Sequence, residues 1–107
     1  MTDLIIGSDH RGYELKEKLS AWLCPHDMES ESKFDIAVFQ DAGVHKPKRT
    51  DYNDIAMKVA DNMVICDRGI LICGSGFGMA IQANRFRKVR AVVCKNVSDV
   101  KQARQHN

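Results

Sequence analysis

Short apolar runs that stop at a glycine or cysteine recur along this chain, each followed by a stretch with helical spacing, and nothing else constrains the fold as much. DLIIG (3–7) ends at Gly7 and precedes GYELKEKLSAWLC, where Leu15, Leu19, Trp22 and Leu23 recur at helical intervals. FDIAVFQDAG (34–43) is a second strand, closed by Gly43, and HKPKR after it reads as an exposed loop. Asp51 can cap a helix whose stripe is Tyr52, Ile55, Ala56, Val59 and Met63. GILIC (69–73) and RAVVC (90–94) are apolar on both faces, as parallel strands between helix layers are. Helical stretches follow them, from Gly78 to about Arg85 and from Val97 to about Arg104. Four strand-helix units in series predict a parallel sheet sandwiched between helices. At 107 residues the chain is expected to be one domain with a single core. CPHDMESESKF (24–34) reads as a polar connection.

Charge and cysteine content exclude several functions. The net charge is only +2, with Lys and Arg scattered among Asp and Glu. The most basic stretch, Arg85 to Arg104, has only Phe86 interleaved, so neither nucleic acid nor a membrane surface is indicated as a partner. No apolar run approaches a membrane span, and MTDLIIGSDH lacks the basic flank and apolar core of a signal peptide, which predicts a cytoplasmic protein. Cys24, Cys66, Cys73 and Cys94 form no CxxC pair and have no histidine at zinc-ligand spacing, so no metal site and no disulfide framework is expected.

In an open α/β sheet, ligands bind beyond the carboxyl ends of the strands. Those ends here read GSDHRG, CGSGFG and CKNVS. The glycines of CGSGFG let backbone N–H groups turn toward one point, and the helix that follows adds its positive end, which makes a cradle for an anion. A dinucleotide fingerprint would need Gly or Ala at position 79, a P-loop would need Lys then Ser or Thr, and a cysteine phosphatase would need Arg at 79. The chain has Met79 and no such lysine. What remains is a thiol, Cys73, beside an anion cradle, with Asp9 and His10 arriving from the first strand. Taken singly, Cys73 can be core filler, Asp9 a helix cap and His10 a surface imidazole. Their meeting at one sheet edge favours a base or nucleophile with lowered pKa.

SDHRG (8–12), RTDY (49–52), GILICGSGFGMAIQANR (69–85), RAVVC (90–94) and RQHN (104–107) occur in the order and spacing of a known family. They resemble the type B ribose-5-phosphate isomerases, a family shared with the galactose-6-phosphate isomerase subunits. The resemblance covers nearly the whole chain, apart from residues 24–48, which form a longer stretch than usual. It implies a three-layer αβα sandwich with a parallel, Rossmann-like sheet. It also implies interconversion of D-ribose 5-phosphate and D-ribulose 5-phosphate through a cis-enediolate, a step of the pentose phosphate pathway, without metal or cofactor.

On the matching positions, Cys73 is the base that takes the C2 proton. The backbone of Gly74, Ser75, Gly76, Phe77 and Gly78 is the anion hole. His106 matches the ring-opening acid/base, Asp9 the group that holds sugar hydroxyls, and His10 a substrate or phosphate contact. Asn107 matches a further substrate contact, and Tyr52 lines the pocket. Family members without the cysteine place a glutamate where this chain has Met79, so the chain resembles the cysteine branch. The His-Asn ending of RQHN favours a pentose over a hexose phosphate. A homodimer or tetramer with the active site at the subunit interface is implied as well. Family members continue past RQHN with a strand, a helix and phosphate-gripping arginines, so residues 1–107 are expected to be an isomerase domain without that C-terminal part. Two alternatives stand beside this reading. One is a non-catalytic sugar-phosphate-binding α/β domain; the other is an isomerase of a related aldose phosphate such as galactose 6-phosphate or allose 6-phosphate.

Overall fold

The computed structural model describes residues 2–25, 34–63 and 65–107. In chain order these form β1 (Thr2–Ser8), α1 (Tyr13–Leu23), β2 (Ile36–Asp41), α2 (Tyr52–Asn62), β3 (Arg68–Ile72), α3 (Phe77–Ala83) and α4 (Val97–His106). The three strands pair in parallel in the order β2-β1-β3. β1 therefore has a neighbour on each side and helices over its faces, and Leu4, Ile5 and Ile6 are all buried. That position requires an uninterrupted apolar run, which is what DLIIG supplies. Side chains alternate along a strand, so Ile5 and Gly7 share a face. On that face Ile5 packs with Val59 of α2 and with Cys66. Gly7 lets α2 come close, since a methyl group there would lie 2.7 Å from Ile55 Cγ2. α1 packs on β1 and β3.

The helices follow the predicted positions with two exchanges of role. On α2 the stripe Ile55, Ala56 and Val59 is buried, while Tyr52 stays 40% exposed. Asp51 is the N-cap with extended backbone, but its carboxylate makes no capping bond. On α1, Leu23 is buried, whereas Leu15 and Trp22 are exposed, Trp22 meeting Phe34 edge-on at 4.7 Å. Lys16 is fully buried instead. Its Nζ donates to Asp41 Oδ2 at 2.6 Å and to Glu17 Oε1 at 2.7 Å, which ties α1 to the end of β2. CPHDMESESKF, read as a polar connection, lies mostly outside the described residues.

The fourth strand expected at RAVVC (90–94) is not formed. A parallel strand needs its own N–H and C=O groups for the ladder. Those of Ala91 are taken by a side chain: Ala91 N–H donates to Asn84 Oδ1 at 2.7 Å, and Asn84 Nδ2 donates to Ala91 O at 2.8 Å. Between β3 and this segment runs a cleft of about 990 Å³, bordered by Leu15, Leu19, Leu71, Val92, Val93 and Val100 among others. Beyond it, α4 starts at Asn96, whose Oδ1 accepts the Asp99 N–H at 2.9 Å, while Asp99 Oδ2 accepts the Lys95 N–H at 3.0 Å. The first bond satisfies a donor of the opening turn that has no partner within the helix, and the second fixes the residue before the cap. No helix among the described residues is long and apolar enough to cross a membrane.

Candidate active site

β3 delivers Cys73 to the carboxyl edge of the sheet, and the chain then turns through Gly74, Ser75 and Gly76 into α3. Gly76 has φ +86°, a conformation glycine adopts without the Cβ penalty, and it is closed over by Val93. This geometry aims the Gly76 N–H at the Cys73 sulfur, to which it donates at 3.1 Å. The Phe77 N–H is taken by Ser75 Oγ at 3.2 Å. Among the described residues the N–H groups of Gly74, Ser75 and Gly78 have no protein acceptor. The turn thus offers backbone donors beside a half-buried sulfur. Beneath it, Met79 is buried with Ile55 and Ala56, and Cys73 packs partly on that cluster. The core-filler reading of Cys73 is therefore half realised, and Met79 is a core residue.

The first strand brings its own residues to the same edge, where the Asp9 N–H donates to Ile72 O at 3.2 Å. The buried Asp9 carboxylate accepts the N–H groups of Arg11 at 2.9 Å and Gly12 at 3.1 Å through Oδ1. It caps the approach to α1, as the plainer of its two readings had it. Gly12 is required there because a methyl group would lie 2.7 Å from Ile72 O. His10 Nδ1 lies 3.3 Å from both the N and the O of Thr50, which couples SDHRG to RTDY. Tyr52, two residues on, lays its ring against Gly78, where a methyl group would sit 2.7 Å from Cζ.

Sequence reasoning missed Arg11. Its guanidinium lies over Gly74, with Nη1 2.9 Å and Cδ 3.0 Å from where a Cβ would be. Its place in SDHRG, one residue past His10 at a strand end, was the available signal.

His106 and Asn107 end the chain differently. Asn107 borders the same cleft as Cys73, Gly74, Ser75 and Gly76. The exposed His106 borders a smaller hollow with Asp99 and Gln102, which shares Val92, Val93, Ala103 and Asn107 with that cleft. α4, which carries it, buries no residue fully. All four cysteines are free thiols. Burial, with the charges of Asp3 and Asp67, pushes the Cys66 thiol up from its ordinary value. Among the described residues no three His, Cys, Asp or Glu side chains gather as a metal would require.

Known proteins resemble this chain in sequence and fold. The sequence profile of the Ribose/Galactose Isomerase family matches residues 4–107. Ribose-5-phosphate isomerase B of Escherichia coli K12 is 38% identical over 100% of this chain and 67% of its own length. A Rickettsia bellii protein described only in general terms, as a sugar phosphate isomerase, is 40% identical over 98% of this chain and 68% of its own. The crystal structure of a Thermotoga maritima ribose 5-phosphate isomerase superimposes with a TM-score of 0.86 at 37% identity, over 99% of this chain and 68% of that one. The chain thus spans about two thirds of the length of these relatives.

Proposed function

Because the chain belongs to the ribose/galactose isomerase family, we propose that it interconverts D-ribose 5-phosphate and D-ribulose 5-phosphate through a cis-enediolate. The observation that carries this reading is the Cys73 sulfur held by the Gly76 N–H at the head of a turn whose Gly74, Ser75 and Gly78 N–H groups are open. Moving a carbonyl from C1 to C2 needs a base for the C2 proton and donors for the oxygen that becomes negative. Cys73 takes the proton, and the turn Gly74–Gly78 holds the enediolate oxygen by donors already fixed in place. Asp9 and His10 stand at the same edge for the sugar hydroxyls and the phosphate, with Tyr52 closing the side at Gly78. His106 opens the furanose ring, and Asn107 contacts the sugar from the cleft. No step in this scheme calls for a metal or a cofactor.

The exposure of His106 suits a site completed between two copies of the chain. Exposed Phe77, Ile81 and Val97, apolar side chains at 53%, 70% and 69% accessibility, suit burial in such a homodimer. The free thiols suit a reducing, cytoplasmic setting. The test is to incubate the purified chain with ribose 5-phosphate and follow ketose formation. Cys73→Ala is expected to lower kcat by about a hundredfold or more, the usual worth of a positioned base, while sugar-phosphate binding persists. His106→Ala is expected to be more defective with the cyclic sugar than with an open-chain analogue. Binding without turnover in the unaltered chain would replace this reading with that of a sugar-phosphate-binding domain.

A further inference from the structure

Arg11 stands at the candidate site with its backbone pinned and its side chain free. Its N–H is fixed by Asp9 Oδ1 at 2.9 Å, and the same oxygen fixes Gly12, so the turn that presents it is short and tied to β3. The side chain crosses to the glycine turn and rests on Gly74, where Nη1, Cδ and Cζ would lie 2.9, 3.0 and 3.7 Å from a Cβ. Only glycine at 74 permits that approach. The nearest carboxylate along the chain, Asp9, spends Oδ1 on backbone donors, and the Arg11 guanidinium has no carboxylate partner among the described residues. An exposed guanidinium beside the open N–H groups of Gly74 and Ser75 is a fork of donors without an acceptor.

We propose that Arg11 is a specificity-determining residue that takes the phosphate of the substrate, an inference that rests on the isomerase reading above. The reacting carbons must lie at the Cys73 sulfur, inside the turn. Arg11, exposed over Gly74, is then the donor that meets the far end of the five-carbon chain. A phosphomonoester there presents oxygens that match the planar fork of arginine. Lys95 also flanks the turn, but its ammonium is engaged 5.2 Å over the ring of Phe77 and offers no fork.

In the full chain, Arg11→Met is expected to raise KM for ribose 5-phosphate about tenfold, with kcat changed by less than about threefold. Competitive inhibition by inorganic phosphate should weaken by the same factor. Arg11→Lys keeps the charge without the fork and should fall between the two. Lys95→Met removes an equal charge beside the same turn and should shift either constant by less than about threefold. Equal losses in Arg11→Met and Lys95→Met would mean a general field and overturn the proposal, as would a fall in kcat at constant KM. Calorimetric titration with inorganic phosphate needs no turnover. Weaker binding by Arg11→Met there upholds the contact even where the isomerase reading fails, and unchanged affinity overturns it even where turnover is intact.

Discussion

Cys66 and Cys73 flank the same strand, yet their sulfurs meet opposite surroundings. Cys66 packs with Ile5 and Val59 in the core, and burial together with Asp3 and Asp67 disfavours its thiolate. Cys73 is half-buried and receives the Gly76 N–H. Alkylation needs an accessible sulfur, so exposure decides its rate. Iodoacetamide at pH 8, followed by peptide mapping, is expected to label Cys94 and Cys73 well before Cys66. Labelling of Cys66 as fast as Cys73 would show that the core around Ile5 opens readily. The same contrast separates an accessible thiol at the turn from one packed in the core, although both look alike as apolar-run cysteines in the sequence.

α1 and β2 are joined by a buried ion pair, and its pH dependence has a definite sign. Burial alone would lower the Lys16 pKa, but the hydrogen bonds and charges of Asp41 and Glu17 outweigh it, and the pKa is raised above the ordinary lysine value of 10.5. The stabilisation is therefore complete below that ordinary value and is lost as pH rises through the higher folded one. Thermal melting across pH 7 to about 12 should show a steeper alkaline fall for the unaltered chain than for Lys16→Met. Asp41→Ala leaves a buried ammonium with Glu17 alone, and is expected to cost about 3 kcal/mol, more than Lys16→Met does. Parallel slopes would mean that Lys16 titrates as it does in the unfolded chain.

This pair also marks where sequence reading stops. The apolar runs at 3–7 and 69–73 and the stripe Ile55, Ala56, Val59 were legible because burial on a strand or helix leaves its period in the letters. So was the glycine turn, since few residues other than glycine tolerate its φ. A lysine that is buried because a carboxylate 25 residues away neutralises it leaves no period. RAVVC carries the strand pattern, but pairing depends on where its backbone bonds go, and the competitor was a single asparagine side chain. Arg11 went unread for a similar reason: only the fold places it over Gly74.

The molecule as a whole keeps an open seam. Its radius of gyration, 13.5 Å, is that of a compact chain of this length, so the cleft beside β3 is local rather than a sign of an expanded fold. What spans the seam from the α3 side is the pair of bonds between Asn84 and Ala91, and the segment they hold also places Val93 against Gly76. Asn84→Ala removes both bonds at once. Each bond of this kind is worth about 1 kcal/mol, so the Ala91 amide is expected to exchange with solvent at least about tenfold faster, with little change at Ile5 or Ile6. Because Val93 would be freed as well, the Gly76 turn should loosen, and kcat should fall without a matching rise in KM. Unaltered exchange at Ala91 would instead place the hold on the segment in its apolar contacts along the cleft, and the turn would then owe its shape to Gly76 and Cys73 alone.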